Sequence, residues 1–180
     1  MCGIAGTFAL DSPVKARHSI IKAMTASLIH RGPNGEGIFV DGGVSLGHRR
    51  LSILDLTERG RQPMESDDKS LVITFNGEIY NYLELKHELK GRPFKSGTDT
   101  EVLLRAYEKW GERCVEKLNG IFAFAIWDKK RRILFIARDR LGVKPLYFTR
   151  YRGRLYFASE IKALFAAGVP AKPNDHIIHE

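Results

Sequence analysis

Apolar residues along this chain fall into short runs separated by turn-forming residues, and the spacing within each run assigns its element. Ile4 to Leu10 reads as a strand. Ser12 and Pro13 then offer a cap and a first helical position for a helix over 14–29. Ile20, Met24 and Leu28 fall at four-residue spacing within it and form the expected buried stripe. Residues 37–40 and 44–50 predict a hairpin that turns at Asp41-Gly42-Gly43. Leu71 to Phe75 is a further strand, followed by two helices. One helix begins near Asn81 with Glu84 three residues on; the other begins near Thr98, with Glu101 completing a capping box. Ile121 to Trp127 and Ile133 to Ala137 are continuous apolar runs joined by a short basic turn. So short a connection makes them antiparallel, and their composition makes them dry on both faces. Leu146 to Thr149 and Leu155 to Ala158 give one more hairpin, and residues 160–167 a short helix. Two stacked sheets with helices outside would cover every apolar face. The expected fold class is α+β, a four-layer αββα sandwich of antiparallel sheets.

Length and composition narrow the function classes. A chain of 180 residues with 43% apolar and 28% charged positions is read as one domain able to bury a sizeable core. Cys2 and Cys114 are the only cysteines, too few for a disulfide framework or a paired-cysteine metal site, and no histidine spacing suggests a metal. No charged-then-apolar leader is evident, and the run Ile121 to Trp127 is too short to span a bilayer, so a reducing, cytoplasmic setting without membrane contact is expected. The net charge of +8 is densest late, around Lys129-Lys130-Arg131-Arg132. No helix-turn-helix, finger or RNA-binding signature accompanies it, so nucleic acid is not an expected partner. Cys114 lies among charged helical residues and reads as a packed or half-exposed thiol.

Chemistry concentrates at the start of the chain. If Met1 is removed, Cys2 carries both a thiol and a free α-amine, groups that titrate at about 8.5 and 8 respectively. That residue is a nucleophile with its own base. The alternative is an ordinary buried cysteine opening a strand. Asn76 and Gly77 follow the strand 71–75, where an amide side chain and a glycine N–H can point together at one oxygen. Glycine there also leaves room for a substrate to approach the backbone. The alternative is a type I′ turn.

Several blocks carry a resemblance. Met1-Cys2-Gly3-Ile4, His30-Arg31-Gly32-Pro33, Gly47-His48-Arg49-Arg50-Leu51-Ser52-Ile53, Phe75-Asn76-Gly77-Glu78-Ile79-Tyr80-Asn81 and Ser96-Gly97-Thr98-Asp99-Thr100-Glu101 resemble class II glutamine amidotransferases. Residues 138–147 and Ser159-Glu160-Ile161-Lys162-Ala163-Leu164 narrow this to the glutaminase half of glutamine-hydrolysing asparagine synthetases. The resemblance implies an N-terminal-nucleophile hydrolase fold and hydrolysis of L-glutamine to glutamate and ammonia. It implies Cys2 as nucleophile and Asn76 and Gly77 as the oxyanion hole. It assigns the substrate carboxylate to Arg50, with Arg49 left solvated, and the ammonium to Asp99 with Glu78 close by. Backbone at Leu51 and Ile53 would line the same pocket. No metal or cofactor is implied for this domain; ATP and magnesium belong to a synthetase domain marked by a Ser-Gly-Gly-x-Asp-Ser loop, which these residues do not contain. The expected organisation is an amidotransferase domain over 1–168 and the start of a C-terminal extension over 169–180, in a truncated or excised chain. A synthetase domain or subunit accepting the ammonia is the implied partner, with a homodimer left open. Arg138, Arg140 and Lys144 are candidates for that interface, and Arg138 with Asp139 for a buried or interfacial pair. His30 and His48 read as structural, and His176 and His179 are expected in a frayed tail. Asn34 stands where relatives commonly have aspartate, which unsettles that loop's hydrogen bonding. Two alternatives stand beside this reading: a non-catalytic glutamine-binding or partner-docking fragment, and an ammonia donor to another activated acceptor.

Overall fold

The computed structural model describes residues 1–10, 16–53 and 55–172. Its strands are β1 (Gly3–Ala9), β2 (Gly35–Asp41), β3 (Val44–Arg50), β4 (Met64–Glu65), β5 (Leu71–Ile79), β6 (Gly120–Asp128), β7 (Ile133–Arg138), β8 (Tyr147–Tyr151) and β9 (Arg154–Ala158). Its helices are α1 (His18–Ala26), α2 (Tyr82–Glu88), α3 (Asp99–Trp110) and α4 (Ile161–Ala166). One sheet runs β2-β3-β1-β9-β8 and the other β4-β5-β6-β7, every pairing antiparallel.

Three apolar layers stack these elements into the expected sandwich. Ile21, Met24 and Leu28 join Ala163 and Leu164 of α4 against the outer face of the first sheet. Val44, Leu46 and Phe157 meet Val72, Ala125 and Trp127 between the sheets. Ile73, Phe75 and Phe124 pack under Leu85 of α2 and Val102 and Leu103 of α3. Along β5 and β6, neighbours therefore alternate between the inter-sheet layer and the helix layer. This is why the run Ile121 to Trp127 is apolar at every position.

The structure departs from the sequence reading in local detail. Strand β7 is half-buried, because it closes the edge of the second sheet and has a partner on one side only. Helix α1 follows Arg17, whose side chain makes no cap; Ser12 and Pro13 lie outside the described residues. Its buried residues are Ile21, Met24 and Thr25, Leu28 is buried in the turn just past its end, and Ile20 is only partly buried. Four residues advance a helix about 40° beyond a full turn, so a strict four-residue row drifts off the buried face and alternation of three and four holds it. Strand β5 continues through Asn76 and Gly77, which pair with Ala123 and Phe122. They neither follow the strand nor form a turn, because β6 reaches Gly120 and keeps supplying ladder partners. Among the described residues no helix is long and apolar enough to cross a membrane.

Candidate active site

Antiparallel pairing of Gly3 with Arg49 carries the chain's first residues against the end of β3. Cys2 Sγ consequently lies 3.4 Å from the Leu51 amide nitrogen, which donates to it, and 3.7 Å from the Leu51 carbonyl. Arg31 Nε donates to the Cys2 carbonyl at 2.9 Å. Burial pushes the thiol pKa up, while the Leu51 N–H, the chain's amino terminus and the Arg50 charge partly offset it.

The second sheet supplies the facing wall. Asn76 is 1% exposed, and its Nδ2 is buried without a partner in the structure. The neighbouring position is crowded from behind: a Cβ on Gly77 would lie 2.3 Å from the Ile121 carbonyl oxygen and 2.7 Å from Phe122 Cα. Glycine is needed there by the close approach of β6, and not only to admit a ligand, which corrects the expectation from sequence. Gln62 locks this wall from below, accepting from Phe75 N at 2.7 Å and donating to Thr100 Oγ1 at 3.1 Å.

Two charged groups close the ends. Arg50 donates to the Thr57 carbonyl at 2.9 Å and to the Asp55 carbonyl, and a Cβ on Gly60 would lie 2.2 Å from its Nη2. Asp99 opens α3, where Thr98 caps the helix. Burial raises the Asp99 carboxyl to about 6, with Glu78 adding to the rise and the Ile79 N–H, 3.0 Å from Oδ2, working against it.

All eight sequence-predicted site residues, Cys2, Arg50, Leu51, Ile53, Asn76, Gly77, Glu78 and Asp99, line a single cavity of about 110 Å³. That space suits one small polar molecule and is well below the roughly 300–1,000 Å³ of a drug-sized pocket. Gly60, Gln62 and Lys144 also line it; nothing in the local sequence around Gly60 or Gln62 marked them.

The family model for the glutamine amidotransferase domain matches residues 1–180. The chain belongs to the glutamine amidotransferase domain family. Asparagine synthetase [glutamine-hydrolyzing] 1 of Bacillus subtilis is 46% identical over 171 residues, covering 93% of this chain and 27% of that protein. A putative asparagine synthetase of Methanocaldococcus jannaschii is 43% identical over 184 residues, covering 92% and 35%. The amidotransferase domain thus spans about a quarter to a third of these relatives. In fold it is similar to glutamine phosphoribosylpyrophosphate amidotransferase from B. subtilis, with TM-score 0.78 and 24% identity over 93% of this chain and 44% of that one.

Other positions in the amidotransferase domain differ from expectation. Arg49 is not solvated: it donates to the Thr25 carbonyl at 3.1 Å and pairs with Glu36 at 3.1 Å. Arg138 and Asp139 bind loop backbone instead of each other. Arg138 Nε donates to the Lys144 carbonyl at 2.6 Å, and Asp139 accepts from Phe122, Val143 and Lys144 amides at 3.2, 2.9 and 3.0 Å. Lys144, a candidate for the partner interface, is 9% exposed and lines the cavity, with Nζ 3.2 Å from Met1 Sδ. Asn34 does not loosen its loop, since Oδ1 accepts from Ser52 N at 3.1 Å. His48 is structural: fully buried, it contacts the Phe75 carbonyl at 3.1 Å, and burial lowers its pKa to about 3. Cys114 is fully packed, and burial raises its thiol to about 12. His176 and His179 lie outside the described residues.

Proposed function

We propose that this domain hydrolyses L-glutamine to glutamate and ammonia with Cys2 as the nucleophile. In the chain freed of Met1, the Cys2 amine takes the thiol proton and the sulfur attacks the side-chain amide carbon. Negative charge develops on the amide oxygen, and Asn76 Nδ2 with the Gly77 N–H stabilises it. The amine returns its proton to the departing nitrogen, ammonia leaves, and water then releases glutamate from the γ-glutamyl thioester. Arg50 pairs the substrate α-carboxylate; Asp99 and Glu78 take the α-ammonium; backbone at Leu51 and Ile53 completes the wall. This sequence of steps calls on no metal or nucleotide.

The observation that carries the reading is the buried Asn76 Nδ2, unpartnered in the same cavity that Cys2 lines. An amide donor left unsatisfied in a protein interior costs about 1–3 kcal/mol, and an oxyanion is the group it is placed to meet. The names of the relatives support a wider reading, in which the ammonia passes to a synthetase domain that makes asparagine; aspartate, ATP and magnesium enter that reading only through the resemblance of the motifs. A cytoplasmic setting, which keeps the thiol reduced, belongs to the same proposal.

Glutamate release from glutamine tests the central step. Wild-type protein releases glutamate, and Cys2→Ala releases none; full turnover by that variant overturns the assignment. Mass spectrometry supplies a second test, because Met1 retained on the active protein would leave Cys2 without a free amine.

A further inference from the structure

The block Ser159-Glu160-Ile161-Lys162 has no part in the steps above, yet it returns from the far end of the chain to the nucleophile. Ser159 is fully buried. Its Oγ accepts from Ile4 N at 2.9 Å, and its own N–H donates to the Ile4 carbonyl at 2.9 Å. One residue on, Glu160 Oε1 accepts from Arg31 Nη1 at 3.0 Å, and Arg31 Nε donates to the Cys2 carbonyl at 2.9 Å. A continuous set of bonds therefore runs from Glu160 through Arg31 to the backbone of the nucleophilic residue. On the solvent side, His30 Nε2 lies 2.8 Å from the same carboxylate oxygen, and Lys162 Nζ lies 3.3 Å from Oε2.

Removal of Met1 makes this arrangement matter. A terminal cysteine is tethered by one peptide bond only, so rotation of that peptide plane about the Gly3 N–Cα bond would swing the whole residue, thiol and amine together, away from the oxyanion site. The hydrogen bond to its carbonyl opposes that rotation. Energetics point the same way. Arg31 Nη2 is buried without a partner, an arrangement that lowers stability and that a residue kept only for packing would not require. Burial alone would raise the Glu160 carboxyl, but hydrogen bonds from Arg31, His30 and Lys162 bring it down to about 2, so it remains an anion opposite Arg31 throughout the working pH range.

We propose that Ser159 and Glu160 are positioning residues for the nucleophile: Ser159 pins the start of β1 at Ile4, and Glu160 holds the Arg31 guanidinium against the Cys2 carbonyl. This rests on Cys2 being the nucleophile. Neither residue touches the substrate in this scheme, so their loss lowers kcat and leaves KM for glutamine nearly unchanged. Misplacement of a reacting group by about 1 Å costs on the order of a hundredfold in rate.

The test uses the Met1-processed protein and steady-state glutamate release, with thermal melting measured in parallel. Glu160→Ala is expected to lower kcat at least tenfold with KM within about twofold of wild type. Glu160→Gln keeps an oxygen that accepts from Arg31 and is expected to recover kcat to within about threefold. Ser159→Ala is expected to lower kcat with the same unchanged KM. Wild-type kcat in Glu160→Ala, or equal kcat in the Ala and Gln variants, overturns the inference while leaving the glutaminase reading intact. Losses of kcat that merely follow a lowered melting temperature across the variants overturn it too. A wild-type protein that releases no glutamate overturns the functional reading, and this inference falls with it.

Discussion

Two side chains in the cavity are held in states that look unfavourable until a substrate is considered. Asn76 buries an amide nitrogen with nothing to bond, and Asp99 buries a carboxyl that burial raises to about 6. Asn76→Ala is expected to lower kcat by roughly 10²–10³-fold, read by glutamate release, with little change in melting temperature because the amide nitrogen has no partner to lose. Asp99 gives a pH dependence of definite sign. In the proposed role its ionised form pairs the substrate ammonium, so kcat/KM is expected to fall as pH drops below about 6. Asp99→Asn removes that limb of the profile and raises KM. Its stability effect runs the other way. A carboxyl with a raised folded pKa leaves stability untouched below its unfolded value of about 3.8 and lowers it progressively as pH rises to about 6. Asp99→Asn should therefore melt higher than wild type at pH 7.5 and no higher at pH 3.5, with the Ile79 N–H still bonded to the amide oxygen. A variant that melted lower at pH 7.5 would contradict this account. The sequence singled out both residues, Asn76 in an Asn-Gly pair after a strand and Asp99 through the family resemblance, but could not say that either was buried. That knowledge came from α3 and β6 closing over them.

Helix starts show how much of each element its own residues decide. At α3 the local rule holds in part: Thr98 Oγ1 accepts from Glu101 N at 3.3 Å. The reciprocal arm reaches further back than a capping box requires, with Glu101 accepting from Lys95 N at 3.0 Å and Ser96 N at 2.6 Å. Glu101 thereby ties down the segment that leads into Asp99. Thr98→Ala is expected to lower stability by about 1 kcal/mol in urea unfolding. At α2 the local rule fails. Asn81 makes no side-chain cap; it donates to the Lys117 carbonyl at 2.9 Å and accepts from Asn119 N at 2.9 Å. A residue with cap chemistry was taken over by a neighbouring turn distant in sequence. The same override moved Arg49 from solvent to Glu36.

At the scale of the whole molecule, the site sits where the two sheets face each other, so their packing sets its geometry. Phe157, fully buried in the first sheet, packs with Val72, Ala125 and Trp127 of the second. Phe157→Ala is expected to cost about 3–5 kcal/mol, measured by denaturant unfolding. His48 spans the same gap, from β3 to the Phe75 carbonyl of β5. Its folded pKa of about 3 lies below its unfolded value of about 6.5, so its contribution is complete above pH 6.5 and is lost as pH falls toward 3. Melting temperatures should drop over that window in the Asp99→Asn background, where the opposing carboxyl is gone, and drop less once His48→Gln is added.

What the chain determines by itself is the set of elements and the chemical identities. Apolar runs between turn residues assign strands, position 2 carries a thiol, and the motifs assign the family, because each is read from residues close together along the chain. Where Arg49 finds its partners, whether an Asn-Gly pair turns or stays in a strand, and how Glu160 comes to support residue 2 were decided by tertiary structure. Those outcomes depend on what a second sheet or a helix more than a hundred residues away brings within hydrogen-bonding distance, and no local pattern carries that information.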